Sequence, residues 1–237
     1  MQSQNSLNPS NGIFFKLKSS FKKLYKNSNF YEKRISKTFD NNFEYKPSPH
    51  LLSSIIRYQK KKYKIEDFAT EAIWKNNISS KDFKKLNNFF WFFSLDLKSS
   101  KETTQSIILN WINKNEKFDE NIWEFNITAK RIIAWLSNHQ LTYEDSNEEY
   151  RLFFNHMLQK QTNHLLNEIK NLSEIEEKLI GCAAIILTGL AYKDEKNYLD
   201  SGLNILKNII KQSIDKQGFP RSRSIQNLVF YLKYLII

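Results

Sequence analysis

The chain has 237 residues, with 36 Lys and Arg against 25 Asp and Glu, and only 5 Gly and 4 Pro. That length holds one large domain or one and a half. So few turn residues exclude a sandwich of many short strands and favour long helices with short connections.

The net charge of +11 is unevenly spread: residues 1–62 carry 13 cations against 3 anions, and residues 63–237 carry 23 against 22. The basicity therefore belongs to an amino-terminal arm, with Lys16, Lys18, Lys22, Lys23, Lys26 and the run Lys60, Lys61, Lys62. Such an arm suits nucleic acid, anionic lipid or an acidic polysaccharide, or is a solvated tail.

In chain order, residues 1–12 read as disordered, being rich in Gln, Ser and Asn. Residues 13–26 form a short basic amphipathic helix or an arm docking through Phe14, Phe15, Phe21 and Leu24, and a membrane-surface role suits its pattern. Asn27–Asn42 reads as polar connection. Pro47 and Pro49 bracket a turn before a helix near 50–62, which divides an arm (1–49) from a helical domain (50–237).

Asp67–Lys75 is a short apolar element. A helix over 80–95 follows, with Phe83, Leu86, Phe90 and Phe93 at three-and-four spacing. Ser99 with Glu102 predicts a capping box for a helix ending near Lys114, Ser146 with Glu149 one for a helix to about Lys170, and Ser173 with Glu176 one for a helix to about Tyr192. Another helix covers 196–215 with Leu199, Leu203, Leu206 and Ile210 on its face. A turn at Gln217–Pro220 leads to a last helix starting near Ser222 or Ser224. That helix, LVFYLKYLII, ends the chain while still apolar, without a Gly cap, and the expectation is a product cut short.

The helices pair as 80–95 with 100–114, 122–138 with 146–170, and 173–192 with 196–215. The fold class is all-α: antiparallel helical hairpins forming part of an (α/α) toroid or a solenoid.

The helix at 122–138 is the most informative. Trp123, Ile127, Arg131 and Trp135 fall at steps of four, with Ile132 and Leu136 alongside. Arg131 either faces a cleft as an anion contact or makes an interhelical contact. Trp135 and Trp91 either stack on a sugar or fill the core. Arg221, Ser222, Arg223 and Ser224 stand where a turn meets a helix N-terminus, whose free N–H groups favour anions; the serines read most simply as caps.

Cys182 is the one cysteine, so no disulfide forms within the chain, and its apolar run marks a buried structural thiol. His50, His139, His156 and His164 have no metal-ligand spacing, and no metal or cofactor is expected. There is no Ser-His-Asp set, paired carboxylate or Gly-rich phosphate loop, so a nucleophilic hydrolase or a glycosidase is unsupported. No secretory signal is visible, and the run CAAIILTGLAY is too short to span a bilayer. A cytoplasmic location is expected.

Four patches resemble the heparinase II/III-like polysaccharide lyases: KKLNNFFWFFSLDL (84–97), IILNWINKN (107–115), WEFNITAKRIIAWLSNHQ (123–140) and QGFPRSRSIQNL (217–228). The third is the closest match, and order and spacing carry the resemblance. Asn87 or Asn88 replaces a family His. The resemblance implies an (α/α) toroid packed on a carboxy-terminal β-sandwich, and β-elimination on polysaccharides that contain uronic acid. A cationic or polar group would neutralise the C5 carboxylate, a Tyr or His would take the C5 proton, and an acid would protonate the departing O4.

Arg223, Ser224 and Gly218 match the family's turn. The neutralising position falls near Pro220, which has no donor, and so is lost or displaced onto Arg221. The catalytic Tyr and His regions are expected beyond residue 237, so no catalytic residue is assigned, and the chain alone is expected to be inactive. Family members are often periplasmic or on the cell envelope.

The implied substrate contacts are Arg221, Arg223, Ser224, Arg131 and Trp135. The implied partners are an acidic polysaccharide or oligouronate and a separately encoded carboxy-terminal part, with nucleic acid disfavoured. The alternative is a non-enzymatic helical scaffold that binds a protein or polyanion through its basic arm.

Overall fold

Short polar side chains start most of the helices. Ser28 caps α1 (Asn29–Ile35), Ser79 caps α2 (Ser80–Asn87), Ser100 caps α3 (Lys101–Lys114), Asn147 caps α6 (Glu148–Glu168) and Ser224 caps α9 (Ile225–Ile236). Each side-chain oxygen accepts from an N–H that the helix itself leaves unpaired. Between them lie α4 (Phe125–Ser137), α5 (His139–Thr142), α7 (Ile175–Ala191) and α8 (Lys196–Ser213). This computed structural model describes residues 20–38, 43–48, 64–65, 79–192 and 196–237. The expected disordered start, the helix near 50–62 and the Asp67–Lys75 element lie outside the described residues. Among those residues the chain is all-α, with no strand.

The expected capping boxes fall elsewhere because their serines are already used. Ser99 accepts from the Ile65 N–H, Ser146 donates to the Tyr143 carbonyl, and Ser173 donates to Glu174. The caps are Ser100 and Asn147, one residue later in each case, and α7 starts with no side-chain cap.

The helix expected over 80–95 stops at Asn87. Phe89 takes a left-handed backbone (φ 56°), and Phe90–Ser94 form a 3-10 turn whose first N–H donates to Asn88. A continuous helix would send part of the run FFWFF to solvent. The tighter turn instead buries Phe89, Phe90, Phe92 and Phe93. The left-handed residue costs about 1–2 kcal/mol, which burial of the Phe89 ring against Phe92, Trp111 and Trp135 offsets.

In consequence the first expected hairpin does not form. Helix α2 and the turn pack on α4, while α3 packs on α5 and α6. The other two pairs do form, α4 with α6 and α7 with α8. Helix α4 is buried on nearly every side, and α7 lies against α4, α6, α8 and α9. On α8 the buried face is Tyr198, Gly202, Ile209 and Ser213, so the expected face is rotated and Leu203 and Ile210 are exposed. Helix α9 buries Tyr231 and Tyr234 and exposes Ile225, Val229, Leu232, Leu235 and Ile236.

Asn27–Asn42 is not simple connection. Helix α1 lies within it and buries Tyr31 and Ile35. Residues 20–26 are helical as expected.

Candidate functional site

The turn before α9 is built around Asp215. Its carboxylate accepts the N–H groups of Gln217 and Phe219 at 2.9 and 3.0 Å, and lies 2.8 Å from the Arg223 guanidinium. Those backbone bonds, with Arg223 and Arg221 nearby, hold its pKa below the ordinary carboxylate value. Gly218 has φ 84° and Arg223 φ 56°, and the Arg223 N–H donates to the Pro220 carbonyl. An Asp-x-x-Gly closure thus fixes Arg223 in a conformation that few side chains adopt.

Arg221 is exposed, and its guanidinium makes one long contact, 3.4 Å to the Lys211 carbonyl. Ser224 accepts from the Asn227 N–H as the helix cap, and Ser222 accepts from the Asn227 side chain. The turn therefore presents two cations beside the positive end of a 12-residue helix. Sequence reasoning located these arginines and missed Asp215, whose signal was its place three residues before Gly218.

Arg131 and Trp135 are elsewhere, in the core, both at 0% exposure. Arg131 donates to Gln161 (2.8 Å), to the Asn87 carbonyl (2.8 Å) and to the Ile122 carbonyl (3.3 Å), and its guanidinium lies 4.1 Å from the Trp111 ring centre. Burial pushes its pKa well below the usual guanidinium value. Trp135 packs on Phe89, Trp111 and Phe154. Neither side chain reaches the surface with the arginines of the turn; both pack in the core. Trp91 is half-buried and donates to the Leu86 carbonyl.

A polar stripe on α6 has partners that the sequence does not reveal. His156, Lys160, His164 and Glu168 stand at steps of four, and all four hold the amino-terminal segment. His156 meets Thr38 at 2.9 Å, Lys160 pairs with Glu32, His164 bonds Tyr31 at 2.6 Å, and Glu168 takes Lys22 and Lys26. Asn163 adds bonds to the carbonyls of Ile35 and Lys37, both at 2.9 Å. Two of the arm's lysines thus reach α6, whereas Phe21 and Leu24, expected to dock it, are exposed.

Among the described residues, the tyrosine and histidine side chains are mostly enclosed. Burial raises the hydroxyl pKa of Tyr31, Tyr150 and Tyr192, and that of Tyr234 to about 12, and it lowers His164 to about 3. The Cys182 thiol is pushed up to about 12 by burial and lies 3.2 Å from the Gly202 carbonyl, as suits a structural thiol.

An open depression of about 370 Å³ is lined by Glu102, Asp145, Glu149 and Tyr150 among others, which makes it an unsuitable seat for an anion. Among the described residues no three His, Cys, Asp or Glu are grouped to hold a metal ion, and no helix is long and apolar enough to cross a membrane. No family model, curated protein or solved structure matches this chain.

Proposed function

We propose that the chain is the helical toroid part of a heparinase II/III-like polysaccharide lyase, which handles polysaccharides containing uronic acid. The observation that supports it most is the turn before α9, where exposed Arg221 and Asp215-braced Arg223 flank a capped helix start. A sugar carboxylate seated there would meet the guanidinium of Arg221 first, because that of Arg223 is already partnered. Charge-assisted N–H to carboxylate bonds favour such a ligand over a neutral sugar. Arg131 and Trp135 would act indirectly, by holding α4 in the core.

The test is binding of oligouronates to the whole chain and to Arg221→Ala/Arg223→Ala. The double change is expected to weaken affinity about tenfold or more, and unchanged affinity would remove the turn from the site. A second reading, a scaffold without catalysis, draws on the burial of the tyrosine and histidine groups described above. Binding of nucleic acid that weakens steeply with salt, with no oligouronate binding, would favour it.

A further inference from the structure

The helix at residues 20–26 is mounted inside out. Lys22 and Lys26 both reach the Glu168 carboxylate, at 2.9 and 2.7 Å, while Phe21 and Leu24 are each 69% exposed. Phe30, at the start of α1, is equally exposed, and the Tyr25 ring lies 6.2 Å from it. Arg34 donates to the Tyr25 hydroxyl at 3.3 Å. Exposed Lys33, Arg34 and Lys37 belong to the same segment, as does Lys23, which pairs with Glu120 at 2.9 Å. Its one acid within residues 20–38, Glu32, is turned onto Lys160.

We propose that Phe21, Leu24, Tyr25 and Phe30 form a docking face for the surface of an anionic bilayer. The ion pairs to Glu168 hold the short helix against α6 and so fix its apolar side chains outward before any ligand arrives. That orientation leaves large apolar groups in water at a free-energy cost, which insertion at the headgroup boundary removes. Aromatic rings with a flanking ring of Lys and Arg are what such a boundary accepts. The charge complements lipids bearing phosphate or carboxylate. The four residues lie on one short helix and the start of the next, and the cations beside them complement an anionic headgroup layer better than a protein ridge.

The experiment is co-sedimentation of the full chain with phosphatidylcholine vesicles, with and without about 30% phosphatidylserine. The decisive variant is Phe21→Ser/Leu24→Ser/Phe30→Ser, which keeps every charge and alters only exposed side chains; circular dichroism confirms that it folds. Wild type is expected to sediment with the anionic vesicles, and the variant to bind about tenfold more weakly or worse. Equal binding by the two would mean that net charge alone drives association, and would overturn the proposal. So would failure of wild type to bind, or a variant that loses only a solution dimer while keeping its vesicle affinity.

Discussion

The Tyr31 hydroxyl and Nδ1 of His164 are hydrogen-bonded at 2.6 Å, joining α1 to α6 across 133 positions of chain. Buried beside Tyr31, the imidazole is held in its neutral form. Desolvation is the largest influence on that ring and Lys26 adds repulsion, while Glu168 and the Trp123 carbonyl favour the charged form, as Arg131 does not; the balance lowers the pKa to about 3.

A pH dependence of stability follows from that histidine. Unfolded, the ring titrates near its ordinary ~6.5, so between there and about 3 the unfolded chain binds a proton that the folded one refuses. Stability is therefore complete above ~6.5 and falls as pH drops through that window, by up to about 4–5 kcal/mol for this group. Urea midpoints are expected to be flat above neutrality and to fall steadily toward pH 4. Glu168, whose pKa is lowered, adds slope of the same sign below its ordinary value, so the comparison that matters is with His164→Gln, which should show a shallower fall. Parallel curves would contradict this account.

Lys160 offers a second test. Its side chain is almost enclosed, paired with Glu32, 2.5 Å from the Glu116 carbonyl and 5.6 Å from the Trp123 ring centre. Lys160→Met leaves a carboxylate and a carbonyl without their cation, at a cost of about 3 kcal/mol. The loss should appear locally, as faster hydrogen exchange and earlier proteolysis within residues 20–38, with α4 and α7 still protected. Uniform loss of protection would mean that the segment is not a separable clamp.

Helix positions were readable because their signals are local. The apolar rhythm placed α3, α4, α6, α7 and α8 within a few residues, and Ser224 was named among the starts of α9. What misled was competition for the same polar atoms. Ser99 and Ser146 resemble caps, yet each bonds a tertiary or turn partner, and nothing local reveals that. The steps of four from Trp123 to Trp135 were also legible, but periodicity cannot tell a helix with one wet face from one buried all round, and Arg131 lies in the core for that reason. The stripe from His156 to Glu168 was equally periodic. Its meaning depended on Tyr31, Glu32, Lys22 and Lys26, which are distant in sequence.

Arg131 therefore has a structural signature that can be measured. Lysine can carry the charge but cannot serve Gln161 and the Asn87 and Ile122 carbonyls together while lying flat on Trp111. Arg131→Lys is expected to destabilise by about 2–4 kcal/mol, read as a lower denaturant midpoint with unchanged m-value. If the side chain served a ligand instead, stability would hold and only binding would fall.

Gly189 sets how closely α7 and α8 approach. A Cβ built there would lie 2.4 Å from the Leu199 nitrogen and 2.7 Å from its Cα. Gly181 differs, because its obstruction is the Phe125 ring at 2.2 Å, a side chain that can rotate. Backbone cannot yield so cheaply, so Gly189→Ala must push the two helices apart along their length. That separation opens space around Cys182, whose sulfur lies near the Gly202 carbonyl of α8. The expected result is a loss of about 2–3 kcal/mol together with faster thiol modification of Cys182 under native conditions. Gly181→Ala should cost less and leave the thiol protected. Equal effects of the two changes would mean that the contact with Leu199 does not govern the packing of this pair.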